Sequence, residues 1–258
     1  MSNKVLKPKK ASLYQFTQKY SNNIDNCIEF FKSMKWSEGF SCDRCGCHKY
    51  YLVKRVGKTK TSYVLECSSC HKQHSLLSGT IFQSCKLDLY KLLLGIFLFF
   101  NKNKGISAVD LCSTLDVNYK TALLLENKCR ILMSLSNSDK LLNSLFYEAD
   151  VFNIGAKSKN KAGRASEQQP ILGILSTDKE NNYPRFIKLR LITDYTSLSL
   201  KKNIEKCCVL SRDALLNTDG EKGFNTLNKE IQVKNEKISY EEKDHRLLWL
   251  NIIIGNIK

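Results

Sequence analysis

The sequence predicts an α+β protein of several domains, with a metal-folded ribbon and a helical region ahead of a mixed α/β sheet. Three observations carry that expectation. Two Cys-x-x-Cys pairs, Cys42/Cys45 and Cys67/Cys70, stand 21 residues apart. Residues 86–135 are leucine-rich with three- and four-residue apolar steps. From about residue 144 the pattern changes to short apolar strands between polar turns.

Composition bounds the function. Hydrophobic residues at 42% and charged residues at 26% exclude wholesale disorder, and three prolines with twelve glycines exclude a collagenous chain. Lys and Arg number 41 against 25 Asp and Glu, a net charge of +16, which points to a polyanionic partner. The most apolar run, Leu92–Phe100, is nine residues, too short for the roughly 20 that a membrane helix needs, so no membrane partner is expected. The basic start, MSNKVLKPKKASLYQF, has no apolar stretch after its charges and is not a signal peptide. The expected compartment is therefore intracellular and reducing, where paired cysteines are metal ligands rather than disulfides.

Residues 1–35 read as a lysine-rich start followed by one or two amphipathic helices. Residues 36–84 hold the cysteine pairs. Two residues between thiolates let both sulfurs face one tetrahedral ion at about 2.3 Å, so Cys42, Cys45, Cys67 and Cys70 are the expected ligands of a structural Zn²⁺. YYLVKRV and TSYVLEC between the pairs read as a hairpin, which completes a zinc ribbon. Cys47, His48, His71 and His74 are then flanking residues, and Cys27, Cys85, Cys112, Cys129, Cys207 and Cys208 small core residues.

In residues 85–138, Leu87–Phe100 reads as a buried helix. Ile106–Leu115, capped by Ser107, and Tyr119–Met133 form a pair around the turn Asp116–Asn118. That is helix-turn-helix geometry, with Asn118, Tyr119, Lys120 and Thr121 at the start of the groove-facing helix. Packing against neighbours is the plainer reading of such a pair.

Residues 144–258 begin with LFYEADVFNIG, a strand in which Glu148 and Asp150 share one face. QPILGILS and RFIKLRLIT are the next strands, Ser197–Val209 a helix, and Ala214–Thr218 a strand ending at Asp219-Gly220, which by itself reads as a turn. In the last helix His245, Trp249, Ile252 and Asn256 fall on one face, expected to look inward. Two strand-borne aspartates and a helix-borne oxygen ligand suit a two-metal phosphoryl-transfer site.

These segments together resemble the zinc-ribbon insertion-sequence transposases of the ISXO/Merlin type, with an ISXO2-like transposase domain. The resemblance rests on Trp36-Ser37-Glu38-Gly39-Phe40 before Cys42-x-x-Cys45-Gly46, Ser78-Gly79-Thr80-Ile81-Phe82, Gly105-Ile106-Ser107-Ala108, and Tyr119-Lys120-Thr121-Ala122. It continues through Glu148-Ala149-Asp150, Lys161-Ala162-Gly163-Arg164, Thr218-Asp219-Gly220 and Trp249–Lys258. The resemblance implies an RNase H-like C-terminal domain and DNA strand cleavage and transfer at element ends. Asp150 and Asp219 would bind catalytic Mg²⁺ or Mn²⁺ and Asn256 would complete the site. Lys157, Lys159, Lys161 and Arg164 would bind DNA phosphates. The partners implied are terminal inverted repeats, target DNA and a second copy of the chain; in a eukaryotic host the compartment would be the nucleus, otherwise the cytoplasm. Relatives continue past the position of Lys258, so a truncated copy is expected. The chain departs from the family at Asp43, Val151-Phe152 and Asn251. The alternative is a catalytically inactive ribbon and helix-turn-helix protein that binds DNA.

Overall fold

A computed structural model describes residues 11–57, 61–102, 105–137, 141–155, 168–178, 183–220, 222–235 and 247–257. The chain is mixed α and β, with two sheets and two compact units, Met1–Ser136 and Asn137–Lys258.

In the first unit, α1 (Leu13–Tyr20) starts at a reciprocal cap in which the Gln15 N–H donates to Ser12 Oγ and the Ser12 N–H to Gln15 Oε1, both at 3.2 Å. Asn23 caps α2 (Ile24–Lys35), whose Cys27, Ile28 and Phe31 form a buried stripe. The hairpin of β1 (Tyr50–Val56) and β2 (Thr61–Cys67) pairs Tyr50 with Cys67 and Val56 with Thr61, and β3 (Gln73–Ser75) adds a third antiparallel strand against β2. Then come α3 (Leu89–Asn101), capped by Asp88, α4 (Ala108–Leu115), capped by Ser107, and α5 (Tyr119–Asn137). Asp116, in the left-handed region at φ 49°, ends α4.

One core joins these pieces, from Phe16 and Phe31 through Cys42, Leu65 and Cys67 to Leu92, Leu111, Leu125 and Cys129. Gly95 on α3 marks its closest approach. A Cβ there would stand 2.5 Å from Leu125 Cδ2 and 3.0 Å from Leu115 Cδ1, so α4 and α5 pack where only hydrogen fits.

In the second unit, β4 (Phe146–Ile154), β5 (Gln169–Thr177) and β6 (Pro184–Leu191) form an antiparallel meander. α6 (Ser197–Glu205) follows, then β7 (Leu215–Thr218), a 3-10 helix (Lys222–Lys229), β8 (Gln232–Asn235) and α7 (Leu248–Ile257). β7 lies parallel to β4 and β8 parallel to β7, so the order is β6-β5-β4-β7-β8 with β4 central. One sheet face packs Tyr147, Ala149, Leu172 and Leu216 against Leu200 and Ile204 of α6 and Phe224 and Leu227 of the 3-10 helix. The other packs Phe152 and Leu175 under Leu250 and Ile254 of α7.

Three expectations need correction. The helix expected over Ser197–Val209 ends at Glu205, because Leu142 forms a bridge with Cys208 and draws that segment into extended backbone. The 3-10 helix, β3 and β8 were not expected at all. The inward face of the last helix is also offset: Leu250 and Ile254 are buried, whereas Ile252 is 45% exposed and Asn256 is exposed. His245 lies outside the described residues.

Candidate metal centre and acidic face

The cysteine pairs sit on two equivalent turns. In the first, the Gly46 N–H donates to the Cys42 carbonyl at 2.8 Å and the Cys42 N–H to the Cys47 carbonyl at 2.9 Å. In the second, the His71 N–H donates to the Cys67 carbonyl at 3.1 Å and the Cys67 N–H to the Lys72 carbonyl at 2.9 Å. Gly46 and His71, each four residues after the first cysteine of its pair, both take positive φ, 71° and 57°. The strand register sets the pairs face to face.

All four sulfurs then lie within 4.8 Å of one another, with Cys42–Cys70 at 3.6 Å and Cys45–Cys67 at 3.5 Å. A tetrahedral Zn²⁺ with bonds of about 2.3 Å needs sulfurs about 3.8 Å apart, so the donor set fits a structural zinc. Burial pushes the Cys42 thiol up, but the backbone N–H groups of Arg44 and Cys45 and the side chains of His74 and Cys70 outweigh it and bring it to about 6. The Cys45 and Cys67 thiols shift the other way, upward.

The flanking residues separate by environment. His71 is exposed and faces Glu66. His48 Nδ1 lies 3.0 Å from the Phe40 carbonyl. His74 is buried beside Cys42, a proximity that spacing alone does not reveal, because β3 carries it there. Cys27, Cys129, Cys207 and Cys208 are buried, whereas Cys85 and Cys112 are half-buried.

Asn118, Tyr119 and Lys120 are all exposed at the amino end of α5. Asn118 Oδ1 accepts the Thr121 N–H at 2.8 Å, which leaves its amide nitrogen to face outward contacts. A cavity of about 310 Å³ opens there, lined in part by Lys86, Lys120 and Lys128. Lys157, Lys159, Lys161 and Arg164 lie outside the described residues.

In the second unit, Glu148 and Asp150 lie on the α7 face of β4. The parallel register pairs Glu148 with Asn217 at the end of that ladder; two residues on, Asp150 remains within β4, whereas Asp219 follows the last residue of β7. Asp150 is half-buried and Asp219 exposed just past β7. Asp150 faces Gly173 on β5. Glu148 is 4% exposed, and its Oε2 accepts the Leu250 N–H at 2.8 Å at the start of α7. Burial raises its carboxyl to about 7 against the lowering effect of the Leu250 and Trp249 N–H groups. Asn256 stands about 200° around the helix from Ile254, on the side away from the sheet.

Among known proteins, a comparison with curated sequences finds no match. Residues 23–73, which span α2, the hairpin and all four cysteines, match the family model of the IS1595-type transposase zinc-ribbon domain.

Proposed function

We propose that the chain is a DNA transposase whose first unit binds element-end DNA and whose second is an RNase H-like domain for metal-dependent strand cleavage and transfer. The observation that carries the reading is the four-thiol cluster within a segment that matches a transposase zinc ribbon. The exposed amino end of α5, the lysines around its cavity and the net charge of +16 support DNA as the polyanion. α5 would enter the major groove, with Asn118, Tyr119 and Lys120 toward the bases and phosphates. Asp150 on the central strand β4 and Asp219 just past the neighbouring strand β7 support these two as carboxylate ligands. Bound Mg²⁺ or Mn²⁺ would neutralise the charge that develops as water, and then a DNA 3′-hydroxyl, attacks a phosphate.

One feature favours a second reading, a DNA-binding protein without catalysis. Asn256 faces solvent, so α7 turns only apolar residues and its amino end toward the acids. The test is end binding and strand transfer on matched inverted repeats with Mg²⁺ or Mn²⁺. The transposase reading expects product that disappears in Asp150→Ala while binding persists. Binding with no product in the wild type leaves the second reading, and no preference for end DNA removes both.

A further inference from the structure

His74 is the one histidine of the ribbon that is removed from solvent, at 8% exposure. β3 holds it opposite Leu65, and its ring meets Phe40 and Trp36 edge-on at 5.3 and 6.4 Å between centroids. Its Nε2 is buried and has no hydrogen-bond partner among the described residues. Its Nδ1 points the other way, 3.8 Å from Asp43 Oδ1. A ring nitrogen of His74, the Cys42 sulfur and an Asp43 carboxylate oxygen all lie within 4.8 Å of one another.

These facts decide where the proton sits. An N–H buried without an acceptor costs more than a bare lone pair, so Nε2 among the aromatic rings carries none and Nδ1 carries it. Two acceptors compete for Nδ1–H. Asp43 is mostly exposed and already paired with Lys72 Nζ at 2.8 Å. Cys42 is almost wholly buried, and four thiolates around one Zn²⁺ leave excess negative charge that water cannot screen at that sulfur. The thiolate is the stronger claimant.

We propose that His74 is the outer partner of the zinc centre, its Nδ1–H donating to the Cys42 thiolate and so slowing loss of the metal. It is a positioning residue rather than a ligand, since the four cysteines already close the tetrahedron. The inference rests on the zinc centre and is independent of whether the chain moves DNA.

The experiment loads the full chain with zinc and follows release into excess chromophoric chelator. His74→Phe keeps a ring against Trp36 and Phe40 but removes the donor; release about tenfold faster is expected, as for other outer partners of metal ligands. His74→Gln, which retains a donor, falls between. Asp43→Asn stays within about twofold of the wild type. Wild-type release from His74→Phe overturns the proposal. Should His74→Phe not fold, the decision passes to His74→Gln and the cobalt-substituted protein: a shifted thiolate-to-cobalt band with unchanged tetrahedral character supports the outer role. Loss of a nitrogen-ligand signature would make His74 a ligand and overturn it. A wild type that retains no zinc removes both the proposal and the centre beneath it.

Discussion

The Leu250 N–H donates to Glu148 Oε2 at 2.8 Å, so a carboxylate in the middle of β4 caps the amino end of a helix 102 residues later. The same carboxylate is buried, and burial raises its pKa. Below about pH 4.5 it is protonated whether the chain is folded or not. Between there and about pH 7 only the folded protein keeps the proton, so stability falls as pH rises through that window. The loss should reach order 3 kcal/mol above pH 7 and be absent from Glu148→Gln. Thermal melts of both proteins from pH 4.5 to 8 measure it; parallel curves would refute the assignment.

Metal removal should act on more than the hairpin. Cys42 and Cys67 are members of the core that includes Leu92, Leu111 and Cys129. Cys67→Ser is expected to lose zinc and, with it, much of the roughly 10 kcal/mol that a structural site contributes. Metal analysis and the helical circular-dichroism signal check this, with a clear loss of helix predicted rather than a local change.

The matched positions Gly46 and His71 predict unequal outcomes for exchange. Gly46→Val forces a β-branched residue to φ 71° and should cost about 1–2 kcal/mol or more. His71→Gly relieves the same conformation, and the exposed pair with Glu66 that it gives up is worth little. A change within about 1 kcal/mol, of either sign, is expected for His71→Gly. Denaturation of zinc-loaded protein distinguishes the two.

Gly95→Ala tests the helix contact. Alanine favours a helix by about 1 kcal/mol over glycine, but the new methyl would meet Leu125 and Leu115 in a filled core. Overpacking of about 1–3 kcal/mol should win, seen as a lowered Tm.

For DNA, Lys120→Ala should weaken binding similarly across sequences and reduce the salt slope by about one, as the loss of one phosphate contact does. Titrations at several salt concentrations read the slope directly. An unchanged slope would detach Lys120 from the interface.

Local signals carried well from sequence to structure. Ser107 caps the helix it precedes, and both strands of the hairpin have the expected bounds, whereas the helix expected from Leu87 starts at Leu89 because Asp88 caps it. The cysteine spacing was legible because two short turns fix both sulfurs of each pair. β3 and β8, of three and four residues, are too short to show alternation and form against an edge that a neighbouring strand offers, β2 for β3 and β7 for β8. The face of α7 was misread because its sequence, LWLNIIIGNI, is apolar nearly all round, so its phase comes from Phe152 and Leu175 rather than from periodicity. An acid inside a strand, as Glu148 is, usually marks an edge or a surface, yet β4 is central. The distant N–H groups of Leu250 and Trp249 make the burial of Glu148 tolerable, and no local pattern encodes that.

The ribbon's place in the chain has a consequence for how the first unit assembles. All four ligands lie before residue 71, whereas α3, α4 and α5 begin at Leu89, Ala108 and Tyr119. During synthesis the full ligand set leaves the ribosome before the last of these helices exists. The nascent chain can capture its ion first and present Leu65, Cys42 and Cys67 as a finished surface on which the later helices settle. Zinc supply during translation, rather than after it, would then decide how much of the protein reaches its native state.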